Sequence, residues 1–185
     1  MRLLYLLVLL FNGLLCVYLG EALNIDLRDF VNHLYALILP ISLEPDIEAI
    51  RQCAEDSAIP QHSTADLLFR ALMLVFPMRS SIISSPVRTA AFAKRILVAS
   101  LSLPVATTLR ALEFVRGLLV NEPKLQALLV AEDRTADGIY RPELDDPQLS
   151  NPFGTSLWEI AHLAETHCDN RVKASAHQLG QFRPI

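Results

Sequence analysis

Apolar residues recur at three-and-four spacing along most of the chain, and prolines mark where the recurrence breaks. From Asp26 onward, LRDFVNHLYALIL places Leu27, Phe30, Val31, Leu34, Leu37 and Ile38 on one face, the signature of an amphipathic helix. Pro40, which has no amide hydrogen to give, is expected to close it. Pro45 holds a first-turn position in PDIEAIRQCAED, with acids early, and predicts a short second helix. Ser63 opens STADLLFRALMLVF as a hydroxyl cap, and Asp66 three residues on is an acid able to answer the exposed amides of the helix start. Pro77 stops that helix.

The loop MRSSIISSP leads through Pro86 to the helical run VRTAAFAKRILVASLSL, and Pro104 separates this from VATTLRALEFVRGLLV. Pro123 opens a further short helix, KLQALLVAE. Ser156 and Glu159 spell an S-x-x-E capping box for LWEIAHLAETH, and RVKASAHQLG follows as a last helix ending at Gly180. No convincing strand remains. The pattern predicts an all-α fold, a HEAT- or armadillo-like helical solenoid segment, from antiparallel helix pairs whose apolar faces are too broad for isolated helices. No clean repeat motif accompanies that layout, and a compact helical bundle is the alternative.

One segment interrupts the helical pattern. YRPELDDPQLSNPFGTSLWEI, Tyr140 to Ile160, is Pro-rich and acidic. Pro142, Pro147 and Pro152 are expected to keep its backbone extended, making it a long strap between helices. Asn151, Pro152, Phe153 and Gly154 read as a turn in which Phe153 anchors into the core, before Ser156 and Glu159 restart the helix. Tyr140, Asp145, Asp146 and Trp158 complete the set expected to form a structural or docking strap, with the acids toward solvent or a partner.

Composition narrows the class. The 185 residues are 52% apolar and 19% charged, which excludes general disorder, and the net charge of −4 gives no whole-chain electrostatic case for nucleic acid. Cys16, Cys53 and Cys168 are widely separated, so they read as ordinary thiols rather than a disulfide framework or zinc site. The N-terminus departs from this picture. Arg2 followed by LLYLLVLLFNGLLCVYLG has the charge and apolar length of a signal peptide or short membrane span, without an A-x-A cleavage site. Residues 1–19 are therefore set apart as a hydrophobic leader from a helical domain over 20–185. The leader is signal-like, membrane-like, or foreign to the domain.

Candidate chemistry mostly fails its own tests. Asp133, Thr135, Asp137 and Gly138 match an EF-hand loop at its first, third, fifth and sixth positions, but Leu144 stands where a bidentate acid is needed. Glu143, Asp145 and Asp146 have no companion histidine or nucleophile motif nearby. Of the five histidines, only His162 has an E-x-x-H partner, Glu159. A carboxylate-bridged metal bundle needs a second copy, so the two read as a helix-surface pair. Arg88, Lys94, Arg95, Arg110 and Arg116 are candidates to meet phosphates along one edge. Without interleaved aromatic residues they read more simply as a solvated face. Phe30, Phe92, Phe114 and Trp158 read as core. No catalytic residue, cofactor or metal is expected.

Taken together, GEALNIDLRDFVNHLYALILP, VRTAAFAKRILVASLSLP, TLRALEFVRGLL and EDRTADGIYRPELDDPQLSNPFGTSLWEI resemble the CCAAT-binding-factor domain of the nucleolar complex-associated protein family. The resemblance runs from about Gly20 to Leu179, with Asp133 to Trp158 its most specific part. It implies a non-enzymatic HEAT-like scaffold of the nucleus and nucleolus that works in ribosome biogenesis, in maturation and export of the large-subunit precursor. The implied partners are another nucleolar complex-associated protein and the precursor particle, with RNA or chromatin in a second role at DNA replication initiation, and no small-molecule substrate. Family members carry a long N-terminal half, so the leader is expected to reflect a fragmentary gene model. A membrane-anchored or secreted helical protein is the alternative that a genuine leader implies.

Overall fold

The computed structural model describes residues 27–49, 62–76, 85–129 and 138–182. All regular structure among the described residues is helical, with no strand, and the chain divides into two compact units, Met1–Pro77 and Met78–Ile185.

The first unit contains α1 (Leu27–Ser42) and α2 (Thr64–Val75), packed against each other. Phe30, Val31, Leu34, Ile38 and Ile41 of α1 are buried, which is the face set by the three-and-four spacing. Pro40 does not close α1; the helix runs through it to Ser42. So near the C-terminal end, a proline removes one amide donor without blocking a long continuation, and the Ser42 hydroxyl donates to the Leu39 carbonyl at 2.8 Å. Residues 45–48 form a turn in which the Ala49 amide donates to Asp46 O at 3.0 Å; the remainder of the expected second helix lies outside the described residues. The buried Ile47 accepts the Ala65 amide at 3.0 Å, fixing this turn to the start of α2. That start is a complete capping box. Ser63 Oγ accepts from the Asp66 amide at 3.1 Å, and Asp66 Oδ2 accepts from the Ser63 amide at 3.3 Å.

The second unit is built around α3 (Pro86–Ser100). Thr89 to Leu97 are buried without a break, so this helix has no solvated face over more than two turns. It packs on α4 (Val105–Asn121), α5 (Trp158–Thr166) and two short 3₁₀ helices, Pro123–Leu128 and Pro152–Gly154. Within the described residues the expected helix after Pro123 is the 3₁₀ stretch Pro123–Leu128; its residues 130–132 lie outside the described residues. The Thr108 hydroxyl reaches back to the carbonyls of Ser100 and Leu103, at 3.3 and 3.1 Å, closing the α3–α4 corner. α6 (Asn170–Gly180) packs on α5 and α4. Consecutive helices thus pair, α3 with α4 and α5 with α6, which is compatible with a helical solenoid segment. Phe92 and Phe114 are core, as is Phe30 in the first unit, whereas Trp158 is half-exposed, because it opens α5 at the edge of the packed face.

Candidate functional site

The second unit concentrates its unusual chemistry where residues 138–157 lie on α3. Lys94 and Arg95 are adjacent on α3, about 100° apart around its axis, and each is only 2% exposed. Neither forms part of a solvated face, contrary to the sequence expectation. Both cations pair with the loop, and Lys94 also with Glu159 of α5.

Arg95 reads the loop backbone. Its Nη2 donates to the carbonyls of Pro142 at 2.7 Å and Leu144 at 2.9 Å, and Nη1 donates to Asp145 Oδ1 at 3.1 Å. A planar guanidinium suits several oxygens converging from one turn, which a lysine cannot match. Lys94 holds the far end. Its ammonium donates to the Ser156 carbonyl at 2.5 Å and to Glu159 Oε2 at 2.9 Å. Oε1 lies at 2.7 Å in ion-pair contact, off the hydrogen-bonding direction. The ring centroids of Tyr140 and Trp158 are 5.7 and 5.2 Å from the same nitrogen.

Glu159 is fully buried, and burial pushes its carboxyl up from the usual range against the opposing pull of Lys94. Two sequence expectations fail at this residue. Glu159 and His162 are not a helix-surface pair, since only His162 is exposed. Nor do Ser156 and Glu159 form a capping box: α5 begins after Leu157 with no side-chain cap bond. The acid that would have closed the box is held by Lys94 instead.

The loop is not an extended strap. Pro142 and Pro147 sit in turns, Pro152 opens a 3₁₀ helix, and the Arg141 amide donates to Ser150 O at 2.8 Å, drawing the loop's two limbs together. Asp146 Oδ1 accepts the Gln148 amide at 2.8 Å in a local Asx turn. Ser150 is buried and donates to Pro147 O at 3.1 Å. Asn151 adopts the left-handed conformation (φ 48°, ψ 61°) that reverses the chain into Pro152. At Gly154 a Cβ would lie 2.8 Å from the Gly138 carbonyl oxygen and 3.0 Å from the Tyr140 nitrogen, so only glycine permits this close passage.

Of the residues expected in the strap, Tyr140 and Trp158 meet around Lys94, Asp145 pairs with Arg95, and Asp146 accepts the Gln148 amide within its turn. Asn151 and Gly154 set the backbone. Phe153 is half-buried rather than the core anchor; Pro147, Ser150, Pro152 and Leu157 are the buried residues here. The Leu157 amide also donates to Leu128 O at 3.0 Å, tying the loop's end to the first 3₁₀ helix. The residues that organise the site, Lys94, Arg95 and Glu159, were not among the expected strap residues. Their signal was two cations inside the apolar run AAFAKRILVA. Among the described residues no group of three or more His, Cys, Asp or Glu is placed to hold a metal, and no helix is long and apolar enough to cross a membrane. Asp133 to Asp137 and residues 3–19 lie outside the described residues. The pinned loop can set a surface in place, and the buried Lys94, Arg95 and Glu159 bond within the unit.

The model of the CBF/Mak21 family matches residues 6–176, a span that takes in most of the apolar leader. The nucleolar complex-associated protein 3 of Schizosaccharomyces pombe is 32% identical over 166 residues, covering 85% of this chain and 22% of the relative. That of Saccharomyces cerevisiae is 32% identical over 155 residues, 78% of this chain and 23% of the relative. The human nucleolar complex protein 3 homolog is 27% identical over 160 residues, 86% and 18% respectively. The chain spans about a fifth of the length of these curated relatives.

Proposed function

The chain belongs to the CBF/Mak21 family, and from that premise we propose that it is a helical scaffold segment of a nucleolar complex protein acting in ribosome biogenesis. The observation that carries this reading is the family match over 6–176, together with relatives whose names place them in a nucleolar complex. The fold supports it in kind. A unit in which Lys94 and Arg95 are buried against the loop, and whose loop is held by backbone bonds, presents a surface of fixed shape, which suits assembly.

On this reading the protein resides in the nucleolus and nucleus, works without catalysis, and contacts another nucleolar complex protein and the large-subunit precursor. Export of that precursor, and a chromatin role at replication initiation, are the finer parts of the proposal. The loop of residues 138–157, with Tyr140 and Asp145 at its pinned positions, is the docking element together with Trp158 at the start of α5. Affinity purification of the full-length gene product from cells tests this. Large-subunit precursor RNA and a nucleolar complex protein are expected in the eluate, and recovery of neither overturns the proposal.

A further inference from the structure

Trp158 poses a question of its own. It is the chain's sole tryptophan and is 49% exposed, although it directly precedes the fully buried Glu159 on the same helix. Its ring centroid is 5.2 Å from the Lys94 ammonium, so one side chain meets both solvent and the buried cation. Tyr140 approaches the same ammonium from the loop, at 5.7 Å. The Ser156 carbonyl and the Glu159 carboxylate take the polar directions around Lys94. One turn further along α5, His162 meets the indole edge-on, with ring centroids 6.1 Å apart, and so buttresses it.

We propose that Trp158 is a lid that keeps water from Lys94 and Glu159 and, through that pair, holds residues 138–157 on α3. Water entering beside the ammonium screens the ion pair and competes for the Ser156 carbonyl, so the clamp weakens at the loop's C-terminal end. An indole face also stabilises a desolvated cation directly, which an aliphatic side chain does not.

Hydrogen exchange of the loop amides of Arg141, Leu149 and Gly154, all hydrogen-bonded within the loop, tests the lid in the full chain. Trp158→Ala is expected to accelerate their exchange about tenfold, the scale of a lost desolvated cation–aromatic contact. Trp158→Phe should recover most of the protection. In a background where the pair is replaced by apolar residues, Lys94→Met with Glu159→Leu, Trp158→Ala should change the same amides less than about twofold, because nothing remains for the lid to protect. An equal acceleration in both backgrounds would mean that the indole merely packs, and overturns the proposal; so does unchanged exchange in the native background. Should Trp158→Ala fail to fold, Trp158→Leu, which keeps apolar bulk without an aromatic face, is read in the same two backgrounds by the same criteria.

Discussion

Two helix starts in this chain are spelled almost alike and fold differently. Ser63-Thr-Ala-Asp66 closes a reciprocal capping box on α2. Ser156-Leu-Trp-Glu159 closes none on α5, and its acid turns inward to Lys94. Magnitudes decide between them. A cap is worth about 1 kcal/mol, whereas a buried ion left without its partner costs about 3–5 kcal/mol. Where a buried ammonium is within reach of the motif's acid, the long-range pair prevails. Near Ser63 the acid stays with its own helix start. A capping motif therefore describes what a helix start does in the absence of a stronger claim on its carboxylate.

The largest effect should come from breaking that claim. Lys94→Met leaves Glu159 buried and uncompensated, and urea denaturation is expected to show a loss of about 3–5 kcal/mol. Next comes Arg95→Lys. It keeps the charge but loses the fork that reaches Pro142 O, Leu144 O and Asp145 together, and is expected to cost about 1.5–3 kcal/mol, with faster hydrogen exchange confined to residues 141–150. The two serines then give the direct contrast: Ser63→Ala should cost about 1 kcal/mol, while Ser156→Ala should stay within about 0.5 kcal/mol, since Lys94 uses only the main-chain carbonyl of Ser156. Comparable losses at both serines would contradict the assignment of only one working cap.

The smallest effect concerns pH, where a cap carboxyl and the buried carboxyl differ in sign. Asp169 caps α6 by accepting the Arg171 amide, and its side-chain bond to Arg171 lowers its pKa from 3.8 to about 2. Its contribution to stability is fully present above pH 3.8 and is lost as pH falls through about 2. Glu159 is raised by burial, so protonation favours the folded state. Its contribution is present below the ordinary value of 4.5 and is lost as pH rises through the raised one. Acid titration followed by circular dichroism should therefore show a slightly smaller low-pH loss of stability in Asp169→Asn than in the native chain, a change that Glu159→Gln should not reproduce.

Much of the fold was legible because helices are written locally. The faces of α1 and α2, the Ser63 cap and the breaks around Pro77, Pro86 and Pro104 all follow from residues within a turn or two of each other. Pro40 misled because its position near the end of α1 matters more than its identity. The site was largely illegible because its contacts are distant in sequence: Lys94 bonds partners 62 and 65 residues away, and Arg95 partners 47 to 50 away. Read alone, two adjacent cations resemble a solvated face. The overlooked cue was the unbroken apolar setting, Ala90 to Ala93 before them and Ile96 to Val98 after. A helix with no polar face has nowhere to put a charge except inside, and a buried cation demands an acid from elsewhere in the chain. The loop's prolines misled for a related reason, since a fixed φ serves a turn as well as an extended strand.

The central claim, that Lys94 and Glu159 act as one pair fastening the loop and α5 to α3, is tested most directly by a double-mutant cycle on urea stability. Lys94→Met and Glu159→Leu should each lose about 3–5 kcal/mol, while the double variant should return to within about 1–2 kcal/mol of the native chain or exceed it. Losses that simply add in the double variant would contradict the account.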